Sequence, residues 1–176
     1  MTRRHVVAGL CVVAALFVVS LTMAAQGAVA PKGAGGLVLA DFKGYEAWQT
    51  IAPSQTDDGL KAILGNRIMI EAYKAGFPEN GRAVPDGAMI AKIEWAKKSN
   101  DASPYAVTVP DTLKSASFMV KDAKRFKDSG GWGYAQFKYD SASKTFASAG
   151  PDTGCGYACH TRVKARDFVF TSYPPR

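Results

Sequence analysis

Two thiols and an imidazole lie together near the C-terminus, in residues 155–160, which read Cys-Gly-Tyr-Ala-Cys-His. The chain holds only three cysteines and two histidines, so this hexapeptide concentrates the side chains best able to bind a soft metal or form covalent bonds. Three kinds of chemistry use such a cluster: a disulfide, a zinc site, and the covalent attachment of a haem. The hexapeptide is therefore the first candidate site.

The third cysteine and the second histidine, Cys11 and His5, fall in an N-terminal segment with the features of a secretory signal peptide. A short basic start is followed by an apolar run to about residue 25 and then by small residues. We therefore predict a signal peptide over residues 1–30, export to the periplasm, and a single domain over residues 31–176. An uncleaved membrane anchor is the alternative, because the apolar run is close to the length that spans a bilayer.

Within residues 31–176, Cys155, Cys159 and His160 are the only cysteines and histidine. A short-loop disulfide would use the two cysteines alone. A zinc site would need carboxylates to complete it, because the sequence has no second cluster of cysteine or histidine. A c-type haem would use all three residues, with the thiols bonded to its vinyl groups and His160 as the iron ligand. The spacing is one residue longer than the usual Cys-x-x-Cys-His, and we expect Gly156 to let the backbone loop the extra residue out.

The composition is that of one ordinary folded domain, with 47% hydrophobic and 21% charged residues. Lysine and arginine number 22 against 15 aspartates and glutamates, which gives a formal net charge of +7. The basic residues are scattered singly among acidic ones and form no stripe. This distribution argues against a nucleic-acid partner.

The segments that must position the hexapeptide have the patterns of β-strands. Residues 88–95 follow a Pro-Asp-Gly turn and are rich in apolar and β-branched side chains. Residues 115–120 form a second such segment, and residues 132–139 alternate in polarity after two glycines. A four-helix cytochrome also carries its haem-attachment motif near the C-terminus, but these strands exclude that fold. We predict an α+β fold, predominantly antiparallel sheet with short helices, with the haem segment near the C-terminus.

Shorter elements are predicted between and around these strands. The expected elements are a helix over 44–51, a polar loop over 53–59, a strand over 62–64, a helix from an Asn66 cap to Ala75 with Ile68, Ile70, Ala72 and Tyr73 on its apolar face, and a helix over 122–126. The apolar residues 168–171 are expected to pack under the haem.

Four ordered motifs resemble the cytochrome P-460 family, which is related to cytochrome c-prime-beta. They are Pro85–Lys92, Val120–Phe126, Gly130–Trp132, and Cys159–His160 followed by Asp167–Thr171. The resemblance implies a mainly antiparallel fold, a homodimer and one c-type haem. It also implies a five-coordinate iron open to a small nitrogen oxide or hydroxylamine, and a periplasmic electron-transfer partner.

Lys92 has two interpretations. An arbitrary lysine on a strand is usually a surface residue. The resemblance implies a second role, because some family members carry at this position a lysine that is joined covalently to the haem macrocycle. Strand alternation places Lys92 on the same face as Ala88, Ile90 and Glu94.

The sequence is compatible with two classes of function. Oxidation of hydroxylamine needs a proton acceptor near the iron, and the resemblance places the family's carboxylate at Ser117, where serine is a poor base. Glu94 is the candidate replacement, although a glutamate on a strand more often pairs with a lysine. The alternative is a noncatalytic haem protein that binds nitric oxide or transfers electrons, with an apolar pocket around Phe118, Met89 and Ile90.

The sixth coordination position of the iron is predicted to be open. No methionine or further histidine follows His160, and three upstream methionines lie in segments with apolar neighbours. We therefore expect Met69, Met89 and Met119 to pack in the core.

Overall fold

The computed structural model describes residues 34–149 and 153–176, so the predicted signal peptide lies outside the described residues. Within them, six strands form one sheet in which each strand pairs antiparallel with the next along the chain. The strands are β1 (Gln49–Thr56), β2 (Gly59–Gly65), β3 (Met89–Ser99), β4 (Thr108–Lys121), β5 (Trp132–Asp140) and β6 (Thr145–Ser148). The predicted sheet is confirmed, and all three long strands extend beyond their predicted ends.

The described helices are short. Helix α1 (Arg67–Lys74) joins β2 to β3, and helix α2 (Thr153–His160) carries the hexapeptide. Short 3-10 segments lie at Ala34–Gly36, Leu39–Phe42, Tyr45–Ala47, Lys127–Ser129 and Thr161–Arg166. A mainly antiparallel sheet with these helices confirms the α+β class. No helix in the described part of the chain is long and apolar enough to cross a membrane.

Both faces of the sheet are covered, because alternate side chains of each strand point to opposite sides. One face packs on α1 and the C-terminal segment, and it is here called the cavity face because it borders the cavity described below. Its buried strand residues include Ile63, Ile90, Met119 and Tyr134. The opposite face packs on the N-terminal turns. Its buried strand residues include Leu64, Ala91, Ala116, Phe118, Ala135 and Phe137.

Three local predictions were wrong. The helix predicted over 44–51 is only a 3-10 turn, and β1 begins at Gln49. The polar loop predicted over 53–59 is strand as far as Thr56, since pairing with β2 satisfies its backbone while its polar side chains remain exposed. The helix predicted over 122–126 is a single turn, in which the Asp122 carboxylate accepts from two backbone amides.

Helix α1 begins after Asn66, as predicted, and this side chain also connects the helix to the sheet. Its Oδ1 accepts from the Met69 amide at 3.0 Å and from the Met89 amide at 3.1 Å. Its Nδ2 donates to the Gly87 carbonyl at 2.8 Å. The helix buries Met69, Ile70 and Tyr73, whereas Ile68, expected on the apolar face, is exposed. Asn66 thus fixes the start of α1 and the start of β3 together.

Replacing Asn66 by alanine should destabilise the protein by about 2 kcal/mol, because a helix cap is lost and two further backbone groups lose their partner. The measurement is the urea midpoint of unfolding. Asn66→Ser keeps an oxygen that can cap the helix and is the matched control, which should lose less than the alanine variant. Equal midpoints for wild type and Asn66→Ala would show that the cap contributes nothing.

Candidate functional site

A cavity of about 880 Å³ lies between the cavity face of the sheet, α2 and the C-terminal segment. Its size is that of many cofactor sites. Cys159 and His160 line it from α2, and residues 169–172 close another side. A smaller depression of about 390 Å³ near Trp48 and Arg67 is lined by no cysteine or histidine. The large cavity is therefore the candidate site.

Helix α2 presents the hexapeptide without a break in the helix. Positions 155 and 159 are four residues apart, so they share one face of the helix. Cys159 is an exposed free thiol. The expectation that Gly156 loops out an extra residue was wrong, because Gly156 is helical and packs on β5. A Cβ at this position would lie 2.8 Å from Cγ of Tyr134, so glycine is needed here for close approach rather than for flexibility.

His160 is held in one orientation. Its Nδ1 lies 2.6 Å from the Phe168 carbonyl oxygen. A carbonyl can only accept, so Nδ1 carries the proton and Nε2 keeps a lone pair for a metal. The rings of Tyr134 and Phe170 lie 5.1 and 4.8 Å from the imidazole, centroid to centroid. Burial lowers the pKa of His160, as does the charge of Lys92, while the hydrogen bond to Phe168 opposes the shift.

A row of polar side chains crosses the cavity face. Lys92 of β3 pairs in register with Ser117 of β4, and Ser117 pairs with Gln136 of β5. All three line the cavity. The structure therefore brings the predicted residues Lys92 and Ser117 into the same cavity as Cys159 and His160. Gln136 was missed, although strand alternation places it on the face of Trp132 and Tyr134.

Glu94 lies two residues from Lys92 along β3, on the same face of the strand but outside this row. Its carboxylate is 3.6 Å from Nζ of Lys114 and 4.0 Å from Nζ of Lys61, and its side chain is 13% exposed. Among the described residues, neither Glu94 nor any other carboxylate lines the cavity. The geometry therefore gives Glu94 two lysine partners rather than a place in the cavity wall.

The apolar pocket expected around Phe118, Met89 and Ile90 is divided between the two faces. Ile90 lines the cavity, and part of Phe118 also borders it. The rings of Phe118 and Phe42 stack at 4.2 Å on the opposite face, where Met89 also packs. Residues 89 and 90 are neighbours in a strand, so they cannot share a face.

The residues present fit a covalently held haem. A free thiol and an imidazole with an available Nε2 meet at one end of a large cavity. The Tyr134 hydroxyl is buried without a hydrogen-bond partner among the described residues, and burial raises its pKa. Such an atom is expected where a bound group supplies the missing partner. The described residues contain no group of three His, Cys, Asp or Glu side chains placed to hold a metal ion by themselves.

The structure thus defines a protein with one antiparallel sheet and a short helix that brings a cysteine and a histidine to a large cavity. The model of the cytochrome P460 family matches residues 42–171. The chain belongs to the cytochrome P460 family, which confirms the resemblance found in its motifs and supports haem and iron binding. A search among curated proteins gave no significant match.

The close packing of α2 on β5 predicts whether a substitution at Gly156 raises or lowers the stability of the protein. Gly156→Ala should destabilise the protein by about 1–3 kcal/mol, because the new methyl group overlaps the Tyr134 side chain. Helix propensity alone would predict the reverse, a gain of about 0.5–1 kcal/mol. The exposed Ala158→Ser variant of the same helix is the control, and urea unfolding is the measurement. A more stable Gly156→Ala protein would contradict the close packing.

Proposed function

We propose that this protein is an exported, periplasmic c-type cytochrome with one haem and an open iron position for a small nitrogen compound, nitric oxide or hydroxylamine. The observation that carries the proposal is the single cavity shared by His160 and the row of Lys92, Ser117 and Gln136. A homodimer and a periplasmic electron-transfer partner complete the proposal, on the basis of the family resemblance.

Cys155, Cys159 and His160 would hold the haem. The cysteines would form thioethers to the vinyl groups, and His160 would bind iron through Nε2 because Nδ1 is already engaged by Phe168. The bound haem supplies an iron that changes between ferrous and ferric states and binds small nitrogen ligands. The lowered pKa of His160 keeps its imidazole neutral, which is the form that ligates a metal.

The described methionines support an open sixth position. Met69 is fully buried in α1 and Met89 packs on the opposite face. Met119 lines the cavity, but it pairs in register with Tyr134, whose ring lies 5.1 Å from that of His160. Its side chain is 7% exposed and belongs to the hydrophobic core on the cavity face, so packing accounts for its position.

The polar row would orient the ligand. Lys92, Ser117 and Gln136 all carry hydrogen-bond donors. Lys92 is half-buried and has no hydrogen bond or ion pair to another described residue, so its ammonium is available to the cavity. A donor aimed at a bound nitrogen oxide stabilises the charge on its oxygen.

One observation favours binding over oxidation. Hydroxylamine oxidation releases protons, and an efficient enzyme places a base near the reacting nitrogen. Ser117 occupies the position of the family's carboxylate, and Glu94 is paired with Lys61 and Lys114. The second candidate function, nitric-oxide binding or electron transfer of the cytochrome c-prime-beta type, needs no such base. We therefore rank ligand binding first and hydroxylamine oxidation second.

Covalent attachment is tested by extraction with acidified acetone. The colour should stay with the protein in wild type, because thioether bonds survive denaturation. Cys159→Ala should retain less haem, while the control Ala158→Ser should retain all of it. Complete extraction of the colour from wild type would contradict the c-type attachment.

Ligand binding is tested with carbon monoxide and nitric oxide on the ferrous protein. Both should bind, and Ser117→Ala should weaken nitric-oxide binding roughly fivefold, the value of one hydrogen bond of about 1 kcal/mol. Ser141→Ala, which changes an exposed serine in the turn between β5 and β6, is the matched control and should leave the affinity unchanged. A resting spectrum with a methionine-sulfur band would contradict the open position.

The optical spectrum separates the two candidate functions. A lysine bonded to the macrocycle moves the Soret band far to the red, and Lys92→Ala would restore an ordinary haem c spectrum. Such a red-shifted band together with hydroxylamine turnover that Glu94→Gln abolishes would reverse the ranking. An ordinary wild-type spectrum without turnover is the result we expect.

A further inference from the structure

A buried ion pair lies next to the turn that follows α2. Nζ of Lys121 is 2.7 Å from Oδ1 and 3.0 Å from Oδ2 of Asp167, and the two side chains are 7% and 14% exposed. The same ammonium donates to the Gly130 carbonyl at 3.1 Å and lies 5.1 Å from the centre of the Trp132 ring. A charge pair this far from water is maintained only with good geometry and further hydrogen bonds, and both are present.

Asp167 occupies an unfavourable backbone conformation. Its φ is +44° and that of Phe168 is +64°, so two successive residues other than glycine lie in the left-handed region. Such a conformation persists where surrounding contacts impose it. The Val84 amide donates to Oδ2 of Asp167 at 2.8 Å, and the Trp132 indole donates to the Asp167 carbonyl at 2.9 Å. We call these contacts, together with the ion pair to Lys121, the Asp167 clamp.

The clamp lies one peptide unit from the carbonyl that orients His160. That carbonyl belongs to Phe168 and meets Nδ1 of His160 at 2.6 Å. The Phe168 ring is buried against Gly130, where a Cβ would collide with it. Packing of this ring therefore also holds Phe168 in place. The Gly130 carbonyl in turn accepts a hydrogen bond from Nζ of Lys121. The carbonyl that meets His160 therefore lies between two fixed points, the clamp at Asp167 and the buried Phe168 ring.

We propose that Lys121 and Asp167 are positioning residues for His160: their ion pair holds the strained turn that aims the Phe168 carbonyl at Nδ1. This inference rests on the proposed role of His160 as the iron ligand. A strong hydrogen bond at Nδ1 increases electron donation from Nε2, because an acceptor at the nitrogen that does not bind the metal raises the basicity of the nitrogen that does. The ion pair would therefore strengthen the bond from iron to His160 and lower the reduction potential, without touching the haem ligand itself.

The test compares Lys121→Met, Asp167→Asn and Trp132→Phe in the haem-loaded protein. Resonance Raman spectroscopy of the ferrous state gives the iron–histidine stretching frequency, and a redox titration gives the potential. We expect the frequency to fall in all three variants and the potential to rise. Charge alone predicts opposite shifts of the potential for Lys121→Met and Asp167→Asn. Opposite shifts with an unchanged stretching frequency would overturn the proposal.

Two controls keep the result interpretable. Lys98→Met and Asp111→Asn break an exposed ion pair of 2.9 Å between β3 and β4, and they should change neither quantity. Trp132→Phe removes one donor of the clamp without changing any charge. It therefore tests the role of the clamp even if Lys121→Met or Asp167→Asn does not fold. An unchanged frequency in a folded Trp132→Phe protein would overturn the role of the clamp.

The positioning role of Lys121 and Asp167 can be tested even if the protein binds no haem. If the wild-type chain bound no haem, the proposed function would fail. The clamp would then be tested by NMR on the haem-free full chain, through solvent exchange of the His160 Nδ1 proton. Slow exchange in wild type and fast exchange in Trp132→Phe would support positioning. Equal exchange rates would overturn it.

Discussion

The hydrogen bond between His160 Nδ1 and the Phe168 carbonyl is the contact on which the site depends. It sets the tautomer of the imidazole and so leaves Nε2 free for a metal. A helix end alone could not do this, because the accepting carbonyl comes from a turn eight residues later. Residues 168–172 therefore contribute to the site in two ways. They close one side of the cavity, and they orient the only histidine among the described residues.

The sheet supplies the other half of the site by simple alternation. Each strand gives one set of side chains to the cavity face and the other set to the core behind it. Cross-strand register then aligns Lys92, Ser117 and Gln136 in one row. Glu94, two residues further along β3 on the same face, contacts Lys61 and Lys114 instead. A shift of one residue in β3 would turn both Lys92 and Glu94 to the opposite face of the sheet.

Much of the fold could be read from local pattern. The strands around 90, 118 and 135 and the Asn66-capped helix follow from alternation, turn residues and capping, which involve only neighbouring residues. The prediction was wrong for β1, whose polar residues look like a loop. That segment becomes a strand because β2 lies beside it and pairs with its backbone. Gly156 was misread for a similar reason, since the ring of Tyr134 that requires it lies 22 positions away in the sequence.

The sequence by itself determined the chemistry available, because the cysteines and the histidine lie within one hexapeptide and short-range spacing defines what they can bind. Only the tertiary structure decided which side chains meet them. Lys92 and Gln136 reach the cavity through the register of three strands, and Asp167 reaches Lys121 across 46 residues of chain. Such contacts are set by the packing of distant segments against one another. No local pattern of residues records them.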